Sequence, residues 1–130
     1  MARRPLPRPT DAELDILRVL WARGPSTVRQ VHDVLSENRD FAYTTTLKLL
    51  QIMVEKGLVR RDEATRSHVY EASVPAATTQ RQLVSDLLDK AFGGSAQQLV
   101  LHALAAKPAS RAELAEIRRL LDQLDKRGDK

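Results

Sequence analysis

Apolar side chains recur every three or four residues along most of this chain, which predicts a mainly α protein. The first run follows Thr10 and Glu13, a pair that forms a capping box, and it ends at Gly24 before a proline. The second run extends from about residue 26 or 27 to residue 38, with apolar residues at positions i, i+3 and i+7. Two short helices are therefore expected at the start of the folded region.

The third run, FAYTTTLKLLQIMVEKG at residues 41–57, predicts a helix whose first turn holds three threonines. Leu47, Leu50 and Val54 share the face expected to be buried, with Met53 beside them. Threonine is a mediocre helix former, so three in succession need an explanation beyond helix formation.

After residue 57 the pattern is typical of strands. The segments LVRRDE (58–63) and HVYEAS (68–73) predict two strands joined by the four residues ATRS. Three short helices followed by such a hairpin are typical of a winged helix-turn-helix domain. The hairpin, residues 58–73, is called the wing below, and Pro75 closes this unit.

The last 55 residues, 76–130, predict three more helices. In the final helix, four apolar residues are spaced three, four and three positions apart, as in a coiled-coil seam. Three helices of this size make a poor independent core, so we expect a helical dimerisation module, with packing back on the same chain as the alternative. The residues expected at the dimer interface are Leu87, Leu114, Ile117, Leu121 and Leu124.

Charge sets a limit on how the chain can bind nucleic acid. Its 21 basic and 17 acidic residues give a net charge of +4, and residues 1–75 and 76–130 each contribute +2. The only local basic clusters are in the proline-rich arm at residues 1–9 and in the wing. A DNA-binding site must therefore be built by the placement of charges, because the bulk charge is small.

The chain lacks the residues that several classes of function need. The chain has no cysteine, its three histidines are far apart, and no nucleophile–base pair or phosphate loop is visible. We therefore expect no metal site, no cofactor and no enzymatic activity. No apolar run reaches the roughly 18 residues that span a bilayer, and the N-terminus lacks the apolar region of a signal peptide, so we expect a cytoplasmic protein without membrane insertion.

The threonine-rich helix is the candidate reading element. In a helix-turn-helix domain the second helix of the motif enters the major groove with its first turn against the bases. Thr44, Lys48, Gln51 and Glu55 form one polar stripe opposite the buried face, with Thr45 at its edge. Threonine hydroxyls bond phosphate oxygens or base edges. We expect Thr44, Thr45, Lys48 and Gln51 to contact DNA and Glu55 to face away from it.

Two structural roles are also open for the threonines: one of the three can cap the helix, and Thr46 can pack against the core. In the wing, Arg60, Arg61 and Arg66 are candidates for backbone or minor-groove contacts, although arginines there can serve solubility alone. The arm at residues 1–9 adds the candidates Arg3, Arg4 and Arg8, with an ordinary disordered terminus as the alternative.

The segments TDAELDILRVLW, GPSTVRQVHDVL, FAYTTTLKLLQIMVEKGLVRR and HVYEA together resemble the BlaI/MecI/CopY family of bacterial repressors, the penicillinase-repressor type. The resemblance covers most of residues 10–73, and the helices after it follow the family's C-terminal layout. It implies a homodimer that blocks transcription by binding a palindromic operator in double-stranded DNA. The expected organisation is then a basic arm at 1–9, a DNA-binding domain at 10–75 and a dimerisation domain at 76–130.

The resemblance carries over only at matching positions. The Thr/Lys-rich start of the family's recognition helix is matched by Thr44 and Thr45, with Lys48 one turn later. The family's arginine further along this helix is absent, because Ile52 stands in its place. The Gly-Arg turn of the family's wing is represented by Thr65-Arg66, without the glycine.

Two routes of relief are known in this family. The copper-responsive route uses a C-terminal cysteine cluster, which this chain lacks. The β-lactam route uses a membrane metalloprotease sensor and cleavage at an Asn-Phe bond, and here the corresponding place reads His102-Ala103. The resemblance thus implies a possible cleavage region at Leu101, His102, Ala103 and Leu104.

Two other classes of function remain as alternatives. One is a winged-helix protein–protein interaction module that never meets DNA, which the modest net charge allows. The other is a repressor that responds to a small molecule, although the five aromatic residues give little material for a pocket.

Overall fold

The computed structural model describes residues 8–37, 40–64 and 66–128. Within these ranges the chain is mainly helical, with one small antiparallel sheet. The elements are α1 (Asp11–Arg23), β1 (Ser26–Thr27), α2 (Val28–Ser36), α3 (Tyr43–Lys56), β2 (Val59–Asp62), β3 (Val69–Ala72), α4 (Ala76–Ala91), α5 (Ala96–Ala106) and α6 (Arg111–Gly128). None of the described helices has the combination of length and apolar character that crossing a membrane requires.

The chain divides into two compact units, one through Val84 and one from Ser85, so the division falls inside α4. The expected domain boundary after residue 75 stays a prediction. The first unit contains the three helices and the wing that the sequence predicts, and it has the arrangement of a winged helix.

The sheet has a strand that the sequence did not reveal. Its order is β1-β3-β2, and the two-residue β1 pairs Ser26 with Tyr70 and Thr27 with Val69. Two residues are too short to show a strand period. Thr27 also caps α2, since its hydroxyl accepts a hydrogen bond from the amide of Gln30 and the Gln30 side chain accepts one from the Thr27 amide. One segment thus fixes both the sheet edge and the start of α2.

The core of the first unit lies between the three helices and the sheet. Leu50 and Met53 of α3 are fully buried, whereas Leu47 and Val54 are only partly buried against the same cluster. The expected buried face is therefore correct in direction, but Met53 lies at its centre instead of beside it. The other fully or nearly fully buried apolar side chains are Ile16, Leu17, Val19, Leu20, Val28, Val31, Leu58, Val59 and Tyr70.

The second unit has a different character. Between residues 85 and 128 no described side chain is fully buried. The capping box at the start of α6 is present, because the hydroxyl of Ser110 accepts from the Glu113 amide and the Glu113 carboxylate accepts from the Ser110 amide. Its helices are thus locally well formed, but they leave several large apolar side chains in water. These are Leu87, Val100, Leu101, Leu104, Leu120, Leu121 and Leu124.

A buried carboxylate links α1 to α3. Glu13 is only 2% exposed, and Nζ of Lys56 lies 2.9 Å from both of its carboxylate oxygens. The backbone amide of Thr10 donates to Oε1 at 2.9 Å, which completes the capping box of α1. Burial by itself raises the pKa of the Glu13 carboxyl, but the hydrogen bonds from Lys56 and Thr10 outweigh it, so the pKa is lowered from its ordinary 4.5.

This geometry predicts the effect of Glu13→Gln. Because the folded-state pKa lies below 4.5, the ionised carboxylate stabilises the fold above that pH, and the gain is lost as the pH falls through the folded pKa. We expect the variant to lose about 1–3 kcal/mol of unfolding free energy at neutral pH, since a charge-assisted hydrogen bond is weakened. The measurement is urea unfolding followed by the fluorescence of Trp21, the single tryptophan.

The deficit should shrink as the pH is lowered through the acid range, because wild type then loses the same contribution. Glu55→Gln is the matched control: Glu55 is an exposed carboxylate on α3, next to Lys56 in the sequence, and its replacement should change stability little. A deficit that stays constant between neutral and strongly acidic pH would contradict the assignment.

Candidate nucleic-acid interface

The three threonines in the first turn of α3 differ in their exposure to solvent. The N-cap position is Ala42, and in the described part of the chain no side chain caps this helix. The capping role that the sequence left open for one threonine is therefore not observed, because the helix begins at Tyr43, one residue before the first of them. Thr44 and Thr45 are exposed, whereas Thr46 is completely buried. The first turn thus offers uncapped amides and two exposed hydroxyls on one side.

Thr46 has a structural role. Its hydroxyl lies 3.3 Å from Nδ1 of His32 on α2, and the other ring nitrogen lies 3.2 Å from the hydroxyl of Ser36. The same imidazole packs edge-on against the ring of Tyr43, with 5.6 Å between the centroids. Thr46 and Tyr43 therefore attach the first turn of α3 to α2, and the packing role that the sequence left open for Thr46 is confirmed.

The polar stripe of α3 is exposed to solvent. Thr44, Thr45, Lys48 and Gln51 are all exposed, and the opposite side of the helix carries the buried Leu50. A helix held on one side and polar on the other is the geometry that insertion into a DNA groove requires. The structure brings the four predicted residues together on one surface, and their contact with DNA stays a prediction.

Two of the wing arginines already have acidic partners. Arg60 lies opposite Glu71 in the strand register, and its guanidinium is 3.1 Å from that carboxylate. Arg61 hydrogen-bonds Tyr70 and lies 2.7 Å from Glu63, and both contacts raise the pKa of Arg61. Each arginine must share or exchange its partner in order to bind a phosphate.

Two of the other arginines that are candidates for DNA contact are exposed. Arg66 is exposed in the turn of the wing, and Arg8 is exposed before α1. Arg3 and Arg4 lie outside the described residues. Among the described residues, no group of three or more His, Cys, Asp or Glu side chains is placed to hold a metal ion.

A cleft of about 260 Å³ lies where the start of α2, the start of α3 and the wing meet. Arg29 contributes to its wall, and the guanidinium carbon of this residue lies 4.9 Å from the centre of the Tyr43 ring. Neither residue was a predicted site residue. The contact between Arg29 and Tyr43 depends on how α2 crosses α3, which the sequence does not specify.

The predicted interface and cleavage residues lie in the second unit. Leu114 and Ile117 of α6 are half-buried, whereas Leu121 and Leu124 on the same seam are exposed, as is Leu87 of α4. The possible cleavage region belongs to the middle of α5 and is exposed throughout. It consists of Leu101, His102, Ala103 and Leu104. The ring of His102 lies 5.7 Å from that of Phe92.

Comparisons with known proteins find relatives of similar sequence. The family model described as Penicillinase repressor matches residues 9–123. The transcriptional regulator BlaI of Mycobacterium tuberculosis is 36% identical over 122 residues, which are 92% of this chain and 87% of that protein. The penicillinase repressor of Bacillus licheniformis is 22% identical over 118 residues, 91% of this chain and 92% of its own.

Two solved structures share the fold of the first unit. One is the monomeric form of Bacillus licheniformis BlaI in complex with the blaP half-operator, with a TM-score of 0.50, 23% identity, and coverage of 58% of this chain and 92% of that one. The other is the DNA-binding domain of the repressor BlaI, with a TM-score of 0.51 and the same identity and coverage. The winged-helix fold predicted from the sequence is confirmed.

Proposed function

Because the chain belongs to the penicillinase repressor family, we propose that it is a bacterial transcriptional repressor that binds a palindromic operator as a homodimer. The observation that carries this proposal is the exposed polar stripe of α3, whose opposite side is fixed in the core. The repressor acts by occupying DNA and blocking transcription, without catalysis and in the cytoplasm.

The proposed reading element is the first half of α3. Thr44 and Thr45 offer hydroxyl groups and methyl groups to base edges, and Lys48 and Gln51 extend the contact by one turn and two turns. The uncapped amides at the helix start and the positive end of the helix dipole suit a nearby phosphate. The close approach of the backbone depends on the short side chains of the first turn.

The wing and the arm supply contacts that position the protein without reading sequence. We assign this role to Arg60, Arg61 and Arg66 of the wing and to Arg3 and Arg4 of the arm. The pairing of Arg60 with Glu71 and of Arg61 with Glu63 reduces what those two contribute, since each phosphate must compete with a carboxylate.

The apolar surface of the second unit supports the proposed dimerisation. Exposed leucines on α4, α5 and α6 are too numerous for a stable surface in water, and a second copy is a partner of matching chemistry. Leu87, Leu114, Ile117, Leu121 and Leu124 are the interface residues in this proposal. A two-fold symmetric dimer presents its two α3 helices to two half-sites, which is why the operator is palindromic.

We further propose that repression is relieved when a membrane metalloprotease sensor leads to cleavage within residues 101–104. The support is the resemblance to the β-lactam-responsive branch and the exposure of this segment. Because the segment is helical, α5 must unwind locally before a protease can bind it as an extended chain. The cut removes α6 from the chain and so uncouples the two half-site contacts.

Substitution in α3 tests the reading element. Thr45→Ala and Lys48→Ala should each reduce the ratio of operator affinity to random-DNA affinity roughly 5- to 150-fold, because a base contact supplies about 1–3 kcal/mol of discrimination. Glu55→Gln, at the far end of the same stripe, is the control and should keep the ratio. The measurement is a mobility shift at fixed salt with a genomic site identified by footprinting, and an unchanged ratio in both test variants would refute the assignment.

Substitution in α6 tests the dimer. Leu121→Asp places a charge in the seam and should give monomers in sedimentation velocity at micromolar concentration, because burying an unpaired carboxylate is costly. Ala115→Asp introduces the same side chain on the opposite side of the helix, and this control should stay dimeric. If Leu121→Asp remains a dimer, the seam is not the interface.

Mass spectrometry of the chain from derepressed cells tests the cleavage. With the metalloprotease sensor present, new termini should lie within residues 101–104, and the cut protein should bind the full operator about 10²- to 10⁴-fold more weakly than the intact dimer. An intact chain in fully derepressed cells would show that relief has another cause.

A further inference from the structure

The cleft between α3 and the wing is called the α3–wing cleft below. It is defined by Thr27, Arg29, Tyr43, Arg66 and His68. Its described lining contains two arginines and a histidine, and no carboxylate is among these residues. Arg60 and Arg61 of the same wing are each paired with a glutamate. Arg29 and Arg66 therefore give the cleft a positive charge that no carboxylate among its described lining residues offsets.

The position of the cleft suits the DNA backbone. When a helix occupies the major groove and a hairpin reaches the neighbouring minor groove, one sugar–phosphate strand runs between them. In this fold the start of α3 and the turn of the wing form two sides of the α3–wing cleft. With α3 in the major groove and the wing in the neighbouring minor groove, the strand between the two grooves would pass over this cleft.

We propose that the α3–wing cleft binds one backbone phosphate of the operator, with Arg29 and Arg66 as its cations. This inference rests on the proposed insertion of α3 into the major groove. The hydroxyl of Thr27 accepts from the amide of Gln30, which leaves its own hydrogen available to donate to a phosphate oxygen.

Tyr43 is a positioning residue in this site. Its ring lies under the guanidinium of Arg29 and edge-on to the ring of His32, so the arginine has a support before DNA arrives. A long side chain that is already placed loses less rotamer freedom on binding. Arg29 thereby ties α2 to the same strand of DNA that the wing grips with Arg66, which fixes the angle at which α3 enters the groove.

The test combines protein variants with neutralised phosphates. Arg29→Gln should weaken binding to operator and to random duplex about tenfold each at low salt, and should make the plot of log affinity against log salt shallower by about 0.9 per bound protomer. The ratio between the two duplexes should stay unchanged, because a phosphate contact carries no sequence information. Arg18→Gln, the same charge change on α1 outside the cleft, is the control and should leave the salt slope unchanged.

Single methylphosphonate substitutions along the half-site identify the phosphate. One position should weaken wild type about tenfold and weaken Arg29→Gln clearly less, because only Arg66 and Thr27 still contact that phosphate in the variant. Tyr43→Phe keeps the ring and should bind like wild type, whereas Tyr43→Leu should lose affinity without a change in salt slope. Thermal unfolding of each variant confirms that the fold is intact.

Two results overturn the proposal: a salt slope of Arg29→Gln equal to that of wild type, or methylphosphonate effects that are the same in both proteins. Failure of the proposed function would give a different set of results. In that case Thr45→Ala and Lys48→Ala leave the affinity ratio unchanged, or wild type shows no preference for any genomic site.

Discussion

Helix α3 must stay fixed on one side and remain accessible on the other, and the rest of the first unit is arranged to hold it there. Polar contacts secure both ends: Thr46 meets His32 of α2 near the start, and Lys56 meets the buried Glu13 of α1 at the end. Gly57 then takes a left-handed conformation with φ of 82°, and the chain turns directly into β2. The orientation of the exposed stripe and the position of the wing are therefore set by the same few contacts.

Placement of charge matters more here than its amount. A net charge of +4 over 130 residues is modest for a DNA-binding protein, and two wing arginines are compensated by glutamates of the wing itself. Three other basic side chains, Lys48, Arg29 and Arg66, lie on or beside the stripe near the start of α3. Such a distribution favours a defined docking geometry over general adhesion to nucleic acid.

The sequence predicted the helices, the wing and the exposed side of α3 because those follow from local periodicity, capping and turn residues. It missed β1, which is too short for a period, and it missed the contacts that join distant elements, such as Glu13 with Lys56 and Arg29 with Tyr43. Those pairs depend on helix crossing angles, which no single segment specifies. For the seam of α6, burial in the proposed homodimer depends on how a second copy docks, which the local pattern of one helix does not specify.

The central claim is that the exposed side of α3 reads the bases of an operator. The most direct measurement is a nuclear magnetic resonance titration of the isotope-labelled protein with a duplex carrying its genomic site and with a random duplex, at the same salt concentration. If α3 reads the bases, the amide signals of Thr44, Thr45 and Lys48 change much more with the genomic site than with the random duplex. Equal changes with both duplexes, or changes confined to other elements, would contradict the claim.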